Sequence, residues 1–148
     1  MEIKDVPPLS VVRQHRRLTL PEVGTASVEA STAVTAAAEA AGLSAAGPWI
    51  FAAHGLPHDR ETVFDLDYCL PVTGGTDRLP ALHCAAQVYE GPLKGLFSDG
   101  YAPLLAAIAA AGLRPTGESR EVYHCWEGPD SPANRVEIQI AVAPTTPG

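Results

Sequence analysis

The sequence predicts an α+β protein built from two tandem β-α-β-β halves. The halves are related by a pseudo-twofold axis and share an antiparallel sheet, two main helices and a central ligand cleft. Two observations lead there. Ala40-Ala41-Gly42-Leu43, Gly47 and His54 recur as Ala110-Ala111-Gly112-Leu113, Gly117 and His124, every pair displaced by 70 residues. The same order of strand, helix, strand and strand flanks both sets of landmarks. A fixed displacement of this kind is the mark of a duplicated unit, and a glycine after an alanine-rich helix marks the left-handed turn that ends it.

The first repeat runs from about 8 to 74. Leu9–Leu20 reads as a strand with imperfect alternation. Pro21–Ala41 reads as a helix, with its proline tolerated at the start. Trp49–His54 is an apolar strand bounded by glycines. Val63–Val72 alternates, with Phe64, Leu66, Tyr68 and Leu70 on one face and Asp65, Asp67 and Cys69 on the other. The Gly/Thr-rich stretch Thr73–Arg78 is too short to separate independent domains, so 1–148 is read as one domain.

The second repeat runs from about 78 to 143. Leu79–Tyr89 is its first strand, followed by the loop Glu90-Gly91-Pro92. Leu93–Ala111 is its helix, with Phe97, Tyr101, Leu104, Leu105 and Ile108 spaced to form a buried stripe. Pro103 should kink this helix or delay its start. Arg120–Trp126 is a strand, Glu127–Asn134 a hairpin loop, and Arg135–Val142 a strand with Val136, Ile138, Ile140 and Val142 inward. The tail after Pro144 should fray.

Composition narrows the function classes. The chain has 148 residues, 46% of them hydrophobic, and a formal net charge of −7. The acidic balance argues against nucleic acid or an anionic membrane surface as a direct partner and is compatible with a cationic ligand. No stretch approaches the ~18 apolar residues of a membrane span, and Met1–Asp5 lacks the pattern of a signal peptide. Cys69, Cys84 and Cys125 are odd in number and widely spaced, which reads as reduced thiols in a cytoplasmic protein.

The second half resembles a known family. It contains VYEGPLKGLFSDGYAPLLAAIAAAGL, then EVYHCWEGP, then RVEIQIAV. This order is similar to that of the GyrI-like small-molecule-binding family, also described as bacterial or AraC-type effector-binding domains. The matching pieces are Gly91-Pro92, Gly112-Leu113, Glu121-x-Tyr123 and Glu137-Ile138, and the resemblance spans roughly Pro8–Val142. Two departures stand out: leucine follows Gly91-Pro92 where the family often has an aromatic, and the closing strand has Ala-Val-Ala-Pro in place of Pro-Val. The resemblance implies a stand-alone member that binds or sequesters an amphipathic, cationic or aromatic compound in its cleft, with a central glutamate as polar contact. Its alternative is hydrolysis of a strained, cyclopropane-type genotoxin by the same glutamate. It also leaves open a protein partner such as a topoisomerase or a transcription regulator, and either a monomer or a homodimer.

Glu121 is the residue best suited to carry the chemistry. It shares a strand face with Tyr123 and Cys125. A carboxylate among aromatic walls is costly to desolvate, so it holds a proton or recruits a cation. The alternative is an exposed strand glutamate beside Arg120. Tyr123 lines the same face, as a hydrogen-bond donor or as core. Trp126 faces away in a regular strand, but a bulge near Gly128-Pro129 would bring it to the cleft mouth. In the first half, Phe51 takes the place of Glu121, and Trp49 shares its face. Tyr101, like Tyr68 and Tyr89, reads as core before pocket, although Tyr101 lies on the helix flanking the cleft. In the hydrolytic alternative Glu121 and Tyr123 are the catalytic pair. No metal site is expected: His54 and His58 straddle a loop, and His83-Cys84 and His124-Cys125 are strand neighbours pointing to opposite faces. No cofactor motif is present. The basic run Arg13–Arg17 reads as the solvated face of an edge strand.

Overall fold

A computed structural model of the chain describes residues 1–55, 57 and 59–145. His58, paired with His54 in the sequence reading, and the tail from 146 lie outside them. In chain order the elements are β1 (Glu2–Val6), β2 (Leu9–Leu18), α1 (Val23–Ala40), β3 (Ser44–Ala45), β4 (Ile50–His54), β5 (Phe64–Thr73), β6 (Arg78–Leu79) and β7 (Leu82–Glu90). A π-helical turn (Leu96–Tyr101) then runs into α2 (Ala102–Ala110), followed by β8 (Leu113–Cys125) and β9 (Arg135–Pro144). Within each unit the strand pairs are antiparallel, and the fold class is α+β. The chain forms two compact units, Pro7–Ala81 and Met1–Val6 together with the chain from Leu82 onward.

In the first unit β5 lies between β4 and β2, with β6 extending β2 at Leu9 and Ser10 and β3 pairing the end of β5. One face of this sheet packs on α1 through Leu18, Ala30, Phe64, Leu66 and Tyr68, continued by Val34, Ala38, Leu70 and Val72. Ala30, Val34 and Ala38 recur at four-residue spacing, so the buried stripe of α1 is narrow and small, and the helix approaches the sheet closely. The other face is polar. Asp67 is buried there and accepts from His15 Nδ1 at 2.7 Å, His54 Nε2 at 3.2 Å and Arg13 Nη1 at 3.2 Å. Burial alone would push the Asp67 carboxyl up. The bonds from His15 and His54 and the charges around it hold it below the usual value.

In the second unit the order is β1-β7-β9-β8. β2 and β4 therefore flank β5 in the first unit as β7 and β8 flank β9 in the second. Cross-strand register keeps the 70-residue displacement: Phe51 pairs with Tyr68, and Glu121 with Ile138. The left-handed helix ends also match, with φ of 70° at Gly42 and 74° at Gly112. Gly47 and Gly117 do not match, because only Gly117 has positive φ.

Several expectations are corrected. Leu79–Tyr89 is two strands, since Pro80 cannot donate to a ladder. The predicted short strand at Arg120–Trp126 begins at Leu113 and is bulged between Pro115 and Ser119. The expected single helix Leu93–Ala111 starts as a 3-10 turn and a π turn, and only from Ala102 is it α. The stripe assigned to it is broken: Tyr101, Leu104 and Ile108 are buried, but Phe97 is 55% exposed and Leu105 37%. In β5, Asp67 and Cys69 are as buried as the apolar face. The Arg13–Arg17 cations are not simply solvated: Arg13 makes a two-pronged contact with Asp77 and His15 bridges Asp67 and Asp65. Thr145 N–H donates to Gly112 O at 2.9 Å, so fraying does not begin directly after Pro144.

Candidate functional site

Glu121 stands on β8 opposite Ile138, on the face covered by the π turn and α2. Two phenols converge on it. Tyr123, two residues along and therefore on the same face, donates its hydroxyl to Oε1 at 2.6 Å. Tyr101, from the end of the π turn, donates to Oε2 through a short hydrogen bond. No salt bridge reaches the carboxylate from a cationic side chain among the described residues. Protein atoms surround Glu121 densely, yet part of its surface stays accessible. Burial pushes its carboxyl above the usual range, and the two phenol donors only partly oppose that. Burial and the nearby carboxylate also push the Tyr101 hydroxyl well up, so it remains a donor.

Close packing sets the helix over the strand. A Cβ on Gly100 would lie 2.8 Å from Ile138 Cδ1 and 3.3 Å from Tyr89 Cβ, so only glycine lets the turn come this near. Tyr89 is core, its hydroxyl donating to Pro92 O at 2.6 Å.

Aromatic rings flank the carboxylate. Phe97 stacks on Tyr101 at 5.3 Å between centroids, and Trp126 meets Tyr123 edge-on at 5.6 Å. Phe97 and Trp126 are 55% and 45% exposed. Trp126 follows the register shift between Tyr123 and Cys125. The bulge lies shortly before the Gly128-Pro129 turn, and the indole beyond it reaches the ring of Tyr123. The hairpin loop beyond is held by Asn134, whose side chain accepts from Glu127 N–H and donates to Gly128 O, both at 2.7 Å. Leu93 N–H also donates to Pro129 O at 2.8 Å, tying this loop to the start of the helical segment.

Of the residues singled out from the sequence, Glu121, Tyr123, Tyr101 and Trp126 come together in the second unit. Trp49 and Phe51 pack within the first, Trp49 beside Val34 and Ala38, and Phe51 edge-on to Tyr68 at 4.7 Å. Tyr68 is fully buried and donates to Val23 O at 2.8 Å. Phe97 was missed because a regular helix would turn it inward. Among the described residues no group of three or more metal-ligating side chains is arranged to hold an ion. No helix is long and apolar enough to cross a membrane.

No family model matches the chain, and no curated protein matches it. Solved structures do. EcmrR in its complex with DNA superimposes with a TM-score of 0.76 at 19% identity, covering 95% of this chain and 56% of that one. This chain thus spans little more than half of that protein. The EcmrR C-terminal domain alone gives 0.73 at 20% identity, covering 97% of this chain and 96% of that domain. The chain thus shares the fold of this domain, in keeping with the fold that the GyrI-like resemblance implies. A further structure of this fold, SAV2435 bound to tetraphenylphosphonium, gives 0.55 at 12% identity over 97% of this chain and 94% of that one.

Proposed function

We propose that this GyrI-like chain is a non-enzymatic binder of small amphipathic cations with Glu121 as its polar contact. The observation that carries the reading is a carboxylate with two phenol donors and no cationic partner among the described residues, in dense protein yet still accessible, whose two phenols each carry a half-exposed aromatic ring. Such a carboxylate lacks one thing, a positive charge, and the flanking rings add cation–π attraction of about 0.5–2 kcal/mol. Tyr101 and Tyr123 fix the carboxylate, and Phe97 and Trp126 offer aromatic faces to the ligand body. Because both oxygens already accept phenol protons, the group is better suited to recognising charge than to taking a proton from water. The tetraphenylphosphonium held by SAV2435 is the kind of ligand this arrangement suits.

Titration with tetraphenylphosphonium, followed by quenching of tryptophan emission, tests the reading. Wild type is expected to bind and Glu121→Gln to bind at least about tenfold more weakly, the equivalent of ~1.4 kcal/mol. Equal affinity in the variant overturns the central role of the carboxylate.

A further inference from the structure

The 70-residue displacement also aligns the two helices. Ala30, Val34 and Ala38 of α1 fall on Gly100, Leu104 and Ile108, and all are buried. Their neighbours have diverged. Tyr101 is matched by Ser31, Leu105 by Thr35 and Ala109 by Glu39, while Ser119 of β8 is matched by Trp49. In the second unit the helical segment supplies the large ring and the strand a small buried serine. In the first unit the ring comes from the residue before β4, and the helix faces it with short side chains and one carboxylate.

This exchange leaves a hollow. Ser31, Thr32, Thr35, Ala36, Glu39 and Trp49 line a space of about 460 Å³ beside α1, a volume within the range of ligand pockets. Ser31, Thr35 and Glu39 stand four residues apart and so form one row along the helix. The indole is held firmly: it packs on the cluster of Val34, Ala38, Leu70 and Val72 and stays partly exposed. The chain leading to it is tied to β5. Ala46 N–H donates to Pro71 O at 2.8 Å, and a Cβ on Gly47 would lie 3.3 Å from Pro71 Cβ.

The hollow is rich in acceptors. Ser31 Oγ and Thr32 Oγ1 give their protons to Val28 O at 3.1 and 2.8 Å, which leaves their lone pairs to accept. Glu39 adds an exposed carboxylate in the last turn of α1. No lysine or arginine occurs between Arg17 and Arg60, so neither α1 nor β4 brings one to the hollow. An aromatic face, a carboxylate and hydroxyl acceptors together complement a positive charge that carries N–H donors.

We propose that this hollow is a second binding site, within the first unit, for a small organic ammonium. Its apolar body lies on the Trp49 indole, and its N–H groups reach Glu39 and the hydroxyl oxygens of Ser31 and Thr32. The proposal does not rest on the reading of Glu121, because the two sites share no residue. Its charge contact is exposed, so the affinity is modest and falls with added salt.

The test is an NMR titration with phenethylammonium. It follows the indole N–H signal of Trp49 in a Trp126→Phe background, where that indole is the only one left. The expected result is a saturable shift that phenethyl alcohol, the neutral analogue of the same shape, does not produce. Glu39→Gln should weaken binding about threefold, the size of an exposed charge contact. Ser31→Leu fills the hollow from the helix side, as Tyr101 does in the other unit, and should abolish the shift; Thr35→Leu serves if that variant folds poorly. Glu121→Gln should leave the shift unchanged. The absence of a saturable shift, an equal response to the alcohol, or full affinity in Glu39→Gln overturns the proposal. Loss of the shift in Glu121→Gln overturns it as well, because the ammonium is then seated at the other carboxylate.

Discussion

At Glu121 the fold holds a carboxyl whose neighbours favour the protonated form more than water does. The sign of its pH effect follows. Its folded pKa lies above the unfolded value, so between the two the native state binds more protons, and stability falls as pH rises through that window. Glu121→Gln removes this cost while keeping an acceptor and a donor for the two phenols. The variant should be more stable than wild type by about 1 kcal/mol near neutral pH, the range usual when a functional strain is relieved. Its advantage should disappear at acid pH, as melting curves at pH 4 and pH 8 would show. Ligand affinity should run the other way, since a cation binds the ionised form. The Glu121–Tyr123 pairing was legible because residues two apart on a strand share a face. The Tyr101 bond was not, because the sequence alone gave no distance between helix and strand.

Elements were read best where one periodicity governed them. β9 shows its inward residues Val136, Ile138, Ile140 and Val142 all buried, as alternation requires. β5 looks alternating too, yet Asp67 on its polar face is buried because Arg13, His15 and His54 gather on it. Cross-strand pairing of this kind has no trace in one strand's own pattern. The helix of the second half misled for a different reason: its stripe was counted at the α period across Leu96–Tyr101, which is a π turn. The hairpin loop between β8 and β9 depends on a single side chain. Asn134 is 1% exposed, and its two bonds hold both sides of the loop behind Trp126. Asn134→Ala should cost about 2 kcal/mol, the penalty for orphaned polar groups. It should also broaden the Trp126 emission by releasing the indole from Tyr123. Denaturant melts and fluorescence spectra check both.

On the scale of the whole molecule, the repeat was visible in its helix ends and its pairing register, while its outermost strands were not. β1 was not anticipated. It is short, carries three charged residues in five, and shows no clear alternation. It nevertheless lines the edge of β7 from Glu2 to Val6, and Lys4 reaches Glu137 at 2.7 Å. Glu137 would be pushed up by burial, but bonds from Gln139, Lys4 and His124 bring its carboxyl down to about 2. Deleting residues 1–6 should therefore bare the β7 edge and leave Glu137 short of a partner. The expected result is a less stable protein that self-associates through that edge, read as a lower melting temperature and a larger elution size than the full chain.

The position of β1 also bears on synthesis. β1 leaves the ribosome well ahead of its partner β7, which emerges only after all of Pro7–Ala81 has been made. At 5–20 residues per second, the first strand spends several seconds as an unpaired ribbon while the unit behind it can already fold. The second unit cannot be completed until the last strand, β9, has followed. Glu2–Val6 is thus among the last elements to be locked in place. The charges of β1 suit that wait, because a ribbon of Glu2, Lys4 and Asp5 stays solvated and is a poor template for a neighbouring nascent chain.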